Sequence, residues 1–262
     1  MKLFFSLFLF FFLTQQLCFS LEIGTVEEAP GNFTDENGVI VGLSVDFVKE
    51  IQRRVGDHSS IEMLPAARLF HYLRIKPDYV AFSLSRSEAR EDKYHWISLV
   101  MRKPLCILAR KDSNITIRNL EDAKKYDSVG VLLNSVQHDF LIENNFSNII
   151  PNLEHEQTLK RLLYGSIPLM YHSMHGAAKL CRDMNLDINE IEPVLILQVS
   201  NSSIAMSKDS DPAIVRAWQD AAKEIKADGT FDRLAQKWLE YTEGYISIPS
   251  EIKDGALNFW RE

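Results

Sequence analysis

Apolar segments of strand length alternate with amphipathic helical segments along most of the chain. Leu21 to Val26 reads as a first strand. The spacing of Phe47, Val48, Ile51 and Val55 predicts a helix over 44–55, with Ser44 as N-cap and Gly56 as its stop. Tyr79 to Ser83 and Pro104 to Arg110 read as strands, as does Val129-Gly130-Val131-Leu132, which runs into Asn134-Ser135-Val136-Gln137 and a helix. A helix through Leu159 to Leu163 stops at Gly165. Ile167 to Tyr171 reads as a strand, a helix follows through Ala177, Ala178 and Leu180, and Ile204-Ala205-Met206 is the next strand. Asp211-Pro212 has the form of an N-cap and first helical position. Ile214, Trp218, Ala221 and Ile225 recur at helical spacing up to Gly229. Thr230 caps a second helix with Phe231, Leu234 and Trp238 inward. This alternation predicts parallel sheets with helices on their faces, and binding sites at the carboxyl ends of strands.

The N-terminus changes the picture by adding a compartment. Lys2 precedes an apolar run from Leu3 to Leu13, then a polar break, then Cys18-Phe19-Ser20. The pattern is a secretory signal (1–20) cleaved near Ser20, the apolar run being short for a membrane span. An uncleaved anchor is the alternative. Cleavage leaves about 242 residues, more than one compact core usually holds and enough for two lobes. It also takes the formal charge from −7 to −8. No basic patch dominates, which excludes the electrostatic footprint of a nucleic-acid binder. Cys106 and Cys181 remain, one in a strand-like and one in a helix-like run. They are expected as two buried free thiols, although an oxidising compartment would permit a disulfide. No cysteine–histidine cluster has zinc spacing. His172 and His175 lack a third ligand nearby, so no metal and no cofactor is expected. Asn-x-Ser/Thr triplets at Asn32, Asn114, Asn145 and Asn201 matter only in a eukaryotic secretory path.

The most informative stretch for chemistry is Ser83-Leu84-Ser85-Arg86-Ser87-Glu88-Ala89-Arg90. Hydroxyls at a strand end, followed by an arginine at the start of a helical segment, suit a small carboxylate. The guanidinium grips it with two charge-assisted bonds, and hydroxyls and free N–H groups complete the shell. The order resembles the ligand loop of the polar amino-acid solute-binding proteins of ABC transporters, roughly Ser-x-Ser-x-Thr-x-x-x-Arg. Three further landmarks fall in the right order: Gly42-Leu43-Ser44-Val45-Asp46-Phe47, the Val131–Gln137 turn, and the closing Asp228-Gly229-Thr230 helix pair. The resemblance covers nearly all of the chain after the leader. It implies an α/β, two-lobed periplasmic binding protein fold (type II) with the ligand cleft between the lobes. Lobe one would hold residues 22–101 and 206–262 and lobe two 102–205, with crossings at 101–104 and 203–207. It also implies a periplasmic monomer that binds a small-molecule solute and docks on a membrane ABC permease, and that does no chemistry.

By the same resemblance Arg90 holds the ligand carboxylate, with Ser83 and Ser85 beside it, and Ser135 and Gln137 reach the ligand from lobe two. Arg68, after Pro65, either faces the cleft or is a solvated helix residue. Glu28 sits near where many relatives place an aromatic lid residue, and either receives a cationic group or faces solvent. The chain departs from the family at Pro168 and Ser173, where relatives that bind α-amino acids carry carboxylates, the second of which receives the ligand ammonium. The solute is then either a carboxylate without a demanding α-amino group, or an amino acid whose ammonium meets Glu28, with Tyr171 or His172 as other partners. Two rival classes remain on the same fold. A cyclohexadienyl dehydratase-like lyase would need a cleft carboxylic acid such as Glu28 or Glu154. A sensing module would use the closed form to touch a receptor.

Overall fold

The computed structural model describes residues 21–133, 135–246 and 249–259. The leader and Asn134 lie outside the described residues. The chain opens with β1 (Glu22–Thr25), the short antiparallel pair β2 (Phe33–Thr34) and β3 (Ile40–Val41), and α1 (Leu43–Val55). Then come β4 (Ile61–Met63), α2 (Ala66–Ile75) and β5 (Tyr79–Arg86), which leads into a 3-10 turn, Glu88–Lys93. Two strands of 17 residues each, β6 (Tyr94–Arg110) and β10 (Ile191–Ser207), bracket a second group of elements. That group holds α3 (Leu120–Ala123), β7 (Val129–Leu132), α4 (Val136–Glu143), β8 (Ile149–Asn152), α5 (His155–Leu163), β9 (Leu169–Ser173) and α6 (Met174–Asp183). The chain closes with α7 (Pro212–Ala227), α8 (Thr230–Ile246) and a hairpin of β11 (Glu251–Lys253) and β12 (Ala256–Asn258).

The strands join in the order β4-β1-β5-β10-β6-β9-β7-β8. β1, β4 and β5 are mutually parallel neighbours at one end, and β7, β8 and β9 at the other. Between them β6 and β10 run antiparallel from Tyr94 opposite Ser207 to Arg110 opposite Ile191. Each long strand therefore belongs to both ends of the sheet. This gives two lobes, each a sheet with a core on both faces. In the first, α1, α7 and α8 pack Phe47, Ile51, Trp218 and Phe231 on one face, and α2 packs Leu69, Leu73 and Tyr79 on the other. In the second, Val129, Leu141 and Tyr171 fill one face and Leu159, Leu162 and Cys181 the other. The expected two-lobed α/β architecture is the observed one.

Local chemistry explains where the elements begin. α1 starts at Leu43, not at Ser44. Gly42 is its N-cap at φ 137, and a Cβ there would lie 2.2 Å from the Gly31 carbonyl oxygen. Ser44 is fully buried inside the helix. Gly56 does stop α1, in the left-handed conformation at φ 74. Asp211 caps α7 as expected, accepting from the Ala213 N–H, with Pro212 behind it. β5 runs three residues past the expected Ser83, because β10 continues to pair with it as far as Asn201 opposite Arg86. Ser203, Ala205 and Met206, in the expected return crossing of 203–207, pair with β5. The hairpin β11–β12 adds a further strand at the crossing, with Leu257 beside Met101 and Asn258 beside Arg102, and Phe259 N–H donating to the Arg102 carbonyl.

Cys106 and Cys181 are free and buried, and both belong to the same core cluster. Burial pushes each thiol up to about 11. Thiolate is the reactive form, so native protein should react slowly with thiol reagents. Unfolding without reductant should then expose two labelled thiols. A mass lower by two hydrogens, with no labelling, would show a disulfide instead.

Candidate functional site

The carboxyl ends of β5 and β9 meet across the two long strands. Ser83 sits within β5, in the left-handed region (φ 63), a strained conformation for serine. Its Oγ–H donates to Oδ1 of Asn32 and lies 3.5 Å from Ser44 Oγ. Asn32 is fully buried. Its side-chain amide donates to the Val26 carbonyl, and its backbone N–H and C=O both bond Glu28. Asn32 thus ties the loop after β1 to the middle of β5. The sequence offered only its glycosylation triplet as a signal, and a residue with no exposed surface cannot carry a glycan in the folded chain.

Ser85 Oγ lies 2.8 Å from Ser200 Oγ on β10. Arg90, half-buried in the 3-10 turn, donates from Nη1 to the Ser85 carbonyl at 3.2 Å, and its guanidinium lies 4.8 Å from the ring centroid of Phe70 on α2. Ser85, Arg90 and Ser200 border a cavity of about 830 Å³, which Glu88, Asp139 and Glu143 also line. Its floor is Leu105, Gln198 and Ser200, and its walls are the Ser85–Arg90 loop and α4. Arg86, which also lines the cavity, is held in an exposed ion pair with Glu91. Arg68 is exposed on the first turn of α2, the helix whose Phe70 underlies Arg90.

On the second lobe, Ser135 caps α4. Its Oγ accepts from the His138 N–H at 3.1 Å and donates to the Leu132 carbonyl at 2.7 Å. Gln137 is half-buried in the first turn of the same helix. Ser173 caps α6, accepting from the Gly176 N–H at 3.0 Å. Tyr171 donates its hydroxyl to Gln198 Oε1 at 3.0 Å, so it is already paired within the floor.

Glu28 carries an ion pair that sequence reasoning missed. Its carboxylate meets the ammonium of Lys103, whose side chain is 8% exposed. The two residues are 75 apart in sequence, so no local pattern could reveal the contact. Glu154, the other carboxylate considered for acid catalysis, is exposed at the N-cap of α5. Among the described residues no cluster of His, Cys, Asp or Glu has the form of a metal site.

Beside Lys103 lies a buried histidine group. His172 stacks on His155 with centroids 4.2 Å apart, and His175 donates Nε2–H to the Ala29 carbonyl at 2.8 Å. Burial, reinforced by the neighbouring Lys103 charge, holds His172 well below the usual imidazole range and His175 at about 3. In the unfolded chain both titrate near 6.5. Below that pH the unfolded chain takes up protons that the folded chain refuses, so stability falls as pH drops from about 6.5 towards 3. Urea midpoints should therefore already be lower at pH 5.5 than at pH 7, before most carboxylates titrate. A His175→Phe variant should flatten that step, and an equal step in the variant would refute the assignment.

Comparison with known proteins agrees with this fold. The family described as bacterial extracellular solute-binding proteins, family 3, matches residues 21–241. The L-cystine-binding protein TcyJ of Escherichia coli (strain K12) is 23% identical over 212 residues, covering 80% of this chain and 78% of that protein. A histidine kinase sensor domain with similarity to periplasmic binding proteins superposes with a TM-score of 0.74 at 19% identity, over 85% of this chain and 96% of that one. The arginine-binding protein ArgBP of T. maritima, as its P235GK mutant, does so with 0.69 at 22%, over 84% and 95%.

Proposed function

Because the chain belongs to the bacterial extracellular solute-binding proteins of family 3, we propose that it binds a small carboxylate-bearing solute, an amino acid or related acid, and delivers it to a membrane ABC permease. The observation that carries this reading is Arg90, its guanidinium stacked on Phe70 and bonded to the Ser85 carbonyl at the edge of the 830 Å³ cavity. A guanidinium fixed in this way is pre-organised for two parallel bonds to a carboxylate. Ser83 and Ser85 add hydroxyls from the same lobe, Gln137 and the α4 N-terminus at Ser135 close from the other, and Arg68 extends the cationic rim. Solute bridging both lobes favours the closed form, and the long strands β6 and β10 serve as hinge.

In this reading lobe one is 22–101 together with the C-terminal segment, and lobe two begins at 102. The pairing of residues 201–206 with β5 supports a return to lobe one near residue 201, rather than 206. The apolar leader supports export, cleavage near Ser20 and work in the periplasm as a monomer. The relatives it matches carry the names of binding proteins, and binding without chemistry is the reading adopted here.

A thermal-shift screen of amino acids, dicarboxylates and amines tests the proposal. A solute present at one hundred times its dissociation constant stabilises by about 2.7 kcal/mol. At least one carboxylate should raise the melting temperature. A screen in which only amines do so would overturn the carboxylate reading.

A further inference from the structure

We propose that Asp139 and Glu143 of α4 form a cation subsite across the cavity from Arg90, so that the solute is an acid with a second, remote cation at the far end of its chain. This rests on the reading of Arg90 as carboxylate clamp.

The spacing along α4 carries the argument. Four residues of this helix line the cavity: Val136, Asp139, Phe140 and Glu143. They stand at i, i+3, i+4 and i+7, the stripe that one face of a helix presents to whatever it covers. Leu141, fully buried with Val129 and Tyr171, anchors another face in the lobe core. Phe140 joins the stripe to that core, its ring centroid 5.7 Å from that of Tyr171. The face turned to the cavity is therefore half apolar and half acidic.

The two carboxylates do not serve the helix. At i and i+4 they repel each other. Glu143 is the last residue of α4, where the negative end of the helix dipole opposes a carboxylate. Among the described residues no cation pairs with Asp139, Glu143 or Glu88. On the opposite wall Arg86 is paired with Glu91, whereas Arg90 meets a neutral carbonyl and a ring. A solute carboxylate that takes Arg90 leaves the cavity still more acidic, and a cleft of one sign draws the opposite charge. Glu88 stands two residues from Arg90 on the clamp's own wall, so a group it receives is one beside the carboxylate. Asp139 and Glu143 stand on the facing wall. They are exposed here, and a solute seated between the walls would cover them and strengthen the attraction. An acid with a remote cation satisfies both walls at once, whereas a plain acid satisfies one and a diacid is repelled by the other.

The test is calorimetry on the mature chain with two near-isosteric pairs, lysine beside norleucine and arginine beside citrulline. Each pair shares its carboxylate and α-amino group and differs in the remote cation. In at least one pair wild type should bind the cationic member about tenfold tighter or more, as for a charge pair covered on binding. Asp139→Asn combined with Glu143→Gln should narrow that gap about tenfold and leave the neutral member near its wild-type affinity. Both positions are exposed, so the double variant should fold, and the single substitutions repeat the measurement separately. Glu88→Gln should act alike on both members of a pair. Equal affinity within both pairs, a gap unchanged in the double variant, a gap removed by Glu88→Gln instead, or no binding of any of the four would each overturn the inference. So would a double variant that shifts both members equally, the mark of acids acting on closure rather than on the solute. Arg90→Ala separates the two readings. If it abolishes binding of both members while wild type shows no gap, the clamp stands and only this inference falls. If it leaves binding intact while the double variant still narrows the gap, the clamp alone falls.

Discussion

Arg90→Ala is expected to abolish carboxylate binding while leaving the fold intact. Truncating one member of a desolvated charge pair typically costs about 3–5 kcal/mol, a loss of several hundredfold or more in affinity. Arg90→Lys should restore little, because an ammonium cannot reproduce the two-pronged geometry. The fold has little at stake. Arg90 contributes one bond to the Ser85 carbonyl and its contact with Phe70, the latter worth about 0.5–1 kcal/mol at a partly exposed site. Arg86 provides the control. Its pair with Glu91 is about half exposed on both sides, and such pairs contribute about 0–1 kcal/mol, so Arg86→Ala should leave stability near wild type and, although Arg86 lines the cavity, cost far less affinity than Arg90→Ala. Titration calorimetry decides between these outcomes, and unchanged affinity in Arg90→Ala would sink the clamp.

Trp218→Ala should produce the largest loss of stability. Trp218 is 1% exposed and sits in the first-lobe core with Phe47, Ile214 and Phe231. Deleting a buried tryptophan to alanine typically costs about 3–5 kcal/mol, transfer and cavity terms together. For a chain of this size each kcal/mol corresponds to about 2–4 °C, so the melting temperature should fall by roughly 6–20 °C. Affinity measured well below the melt should be unchanged, because Trp218 packs between α1 and β6 and borders no part of the cleft. Lost affinity with an unshifted melt would mark it as a solute-stacking residue instead.

Much of this architecture is legible in the chain because period and punctuation agree. The stripe Phe47, Val48, Ile51 with Gly56 behind it, and Asp211-Pro212 ahead of Ile214 and Trp218, mark helices that form where expected. The long strands are less legible. Arg102, Lys103, Asn201, Ser202 and Ser203 interrupt the apolar pattern at the crossing, and it is their pairing across the hinge that makes them strand. Nor does Ser44 announce that it is interior. Its displacement from the cap depends on Gly42 lying against Gly31, a contact between residues eleven apart. The grouping of Ser83, Ser85 and Arg90 is legible because they follow one another on one strand and turn. The ion pair of Lys103 with Glu28, the Asn32 hub and the bond from Ser85 to Ser200 join distant segments, and their side chains alone do not indicate which partner each will find.

The C-terminal hairpin, which lies beyond the stretch matched by the family, has a mechanical consequence. Two adjacent struts joining two rigid bodies permit twisting about their shared axis as well as bending across it. β12 lies against β6 at Met101 and Arg102, and Phe259 reaches the second lobe, where its ring sits 4.3 Å, centroid to centroid, from that of His175. A brace set off the axis of the two struts resists torsion far more than flexure. If the lobes close on solute as proposed, such a brace would confine them to swing as a door does on its pins, along a single track, and each closing stroke would return the two halves of the cleft to the same alignment.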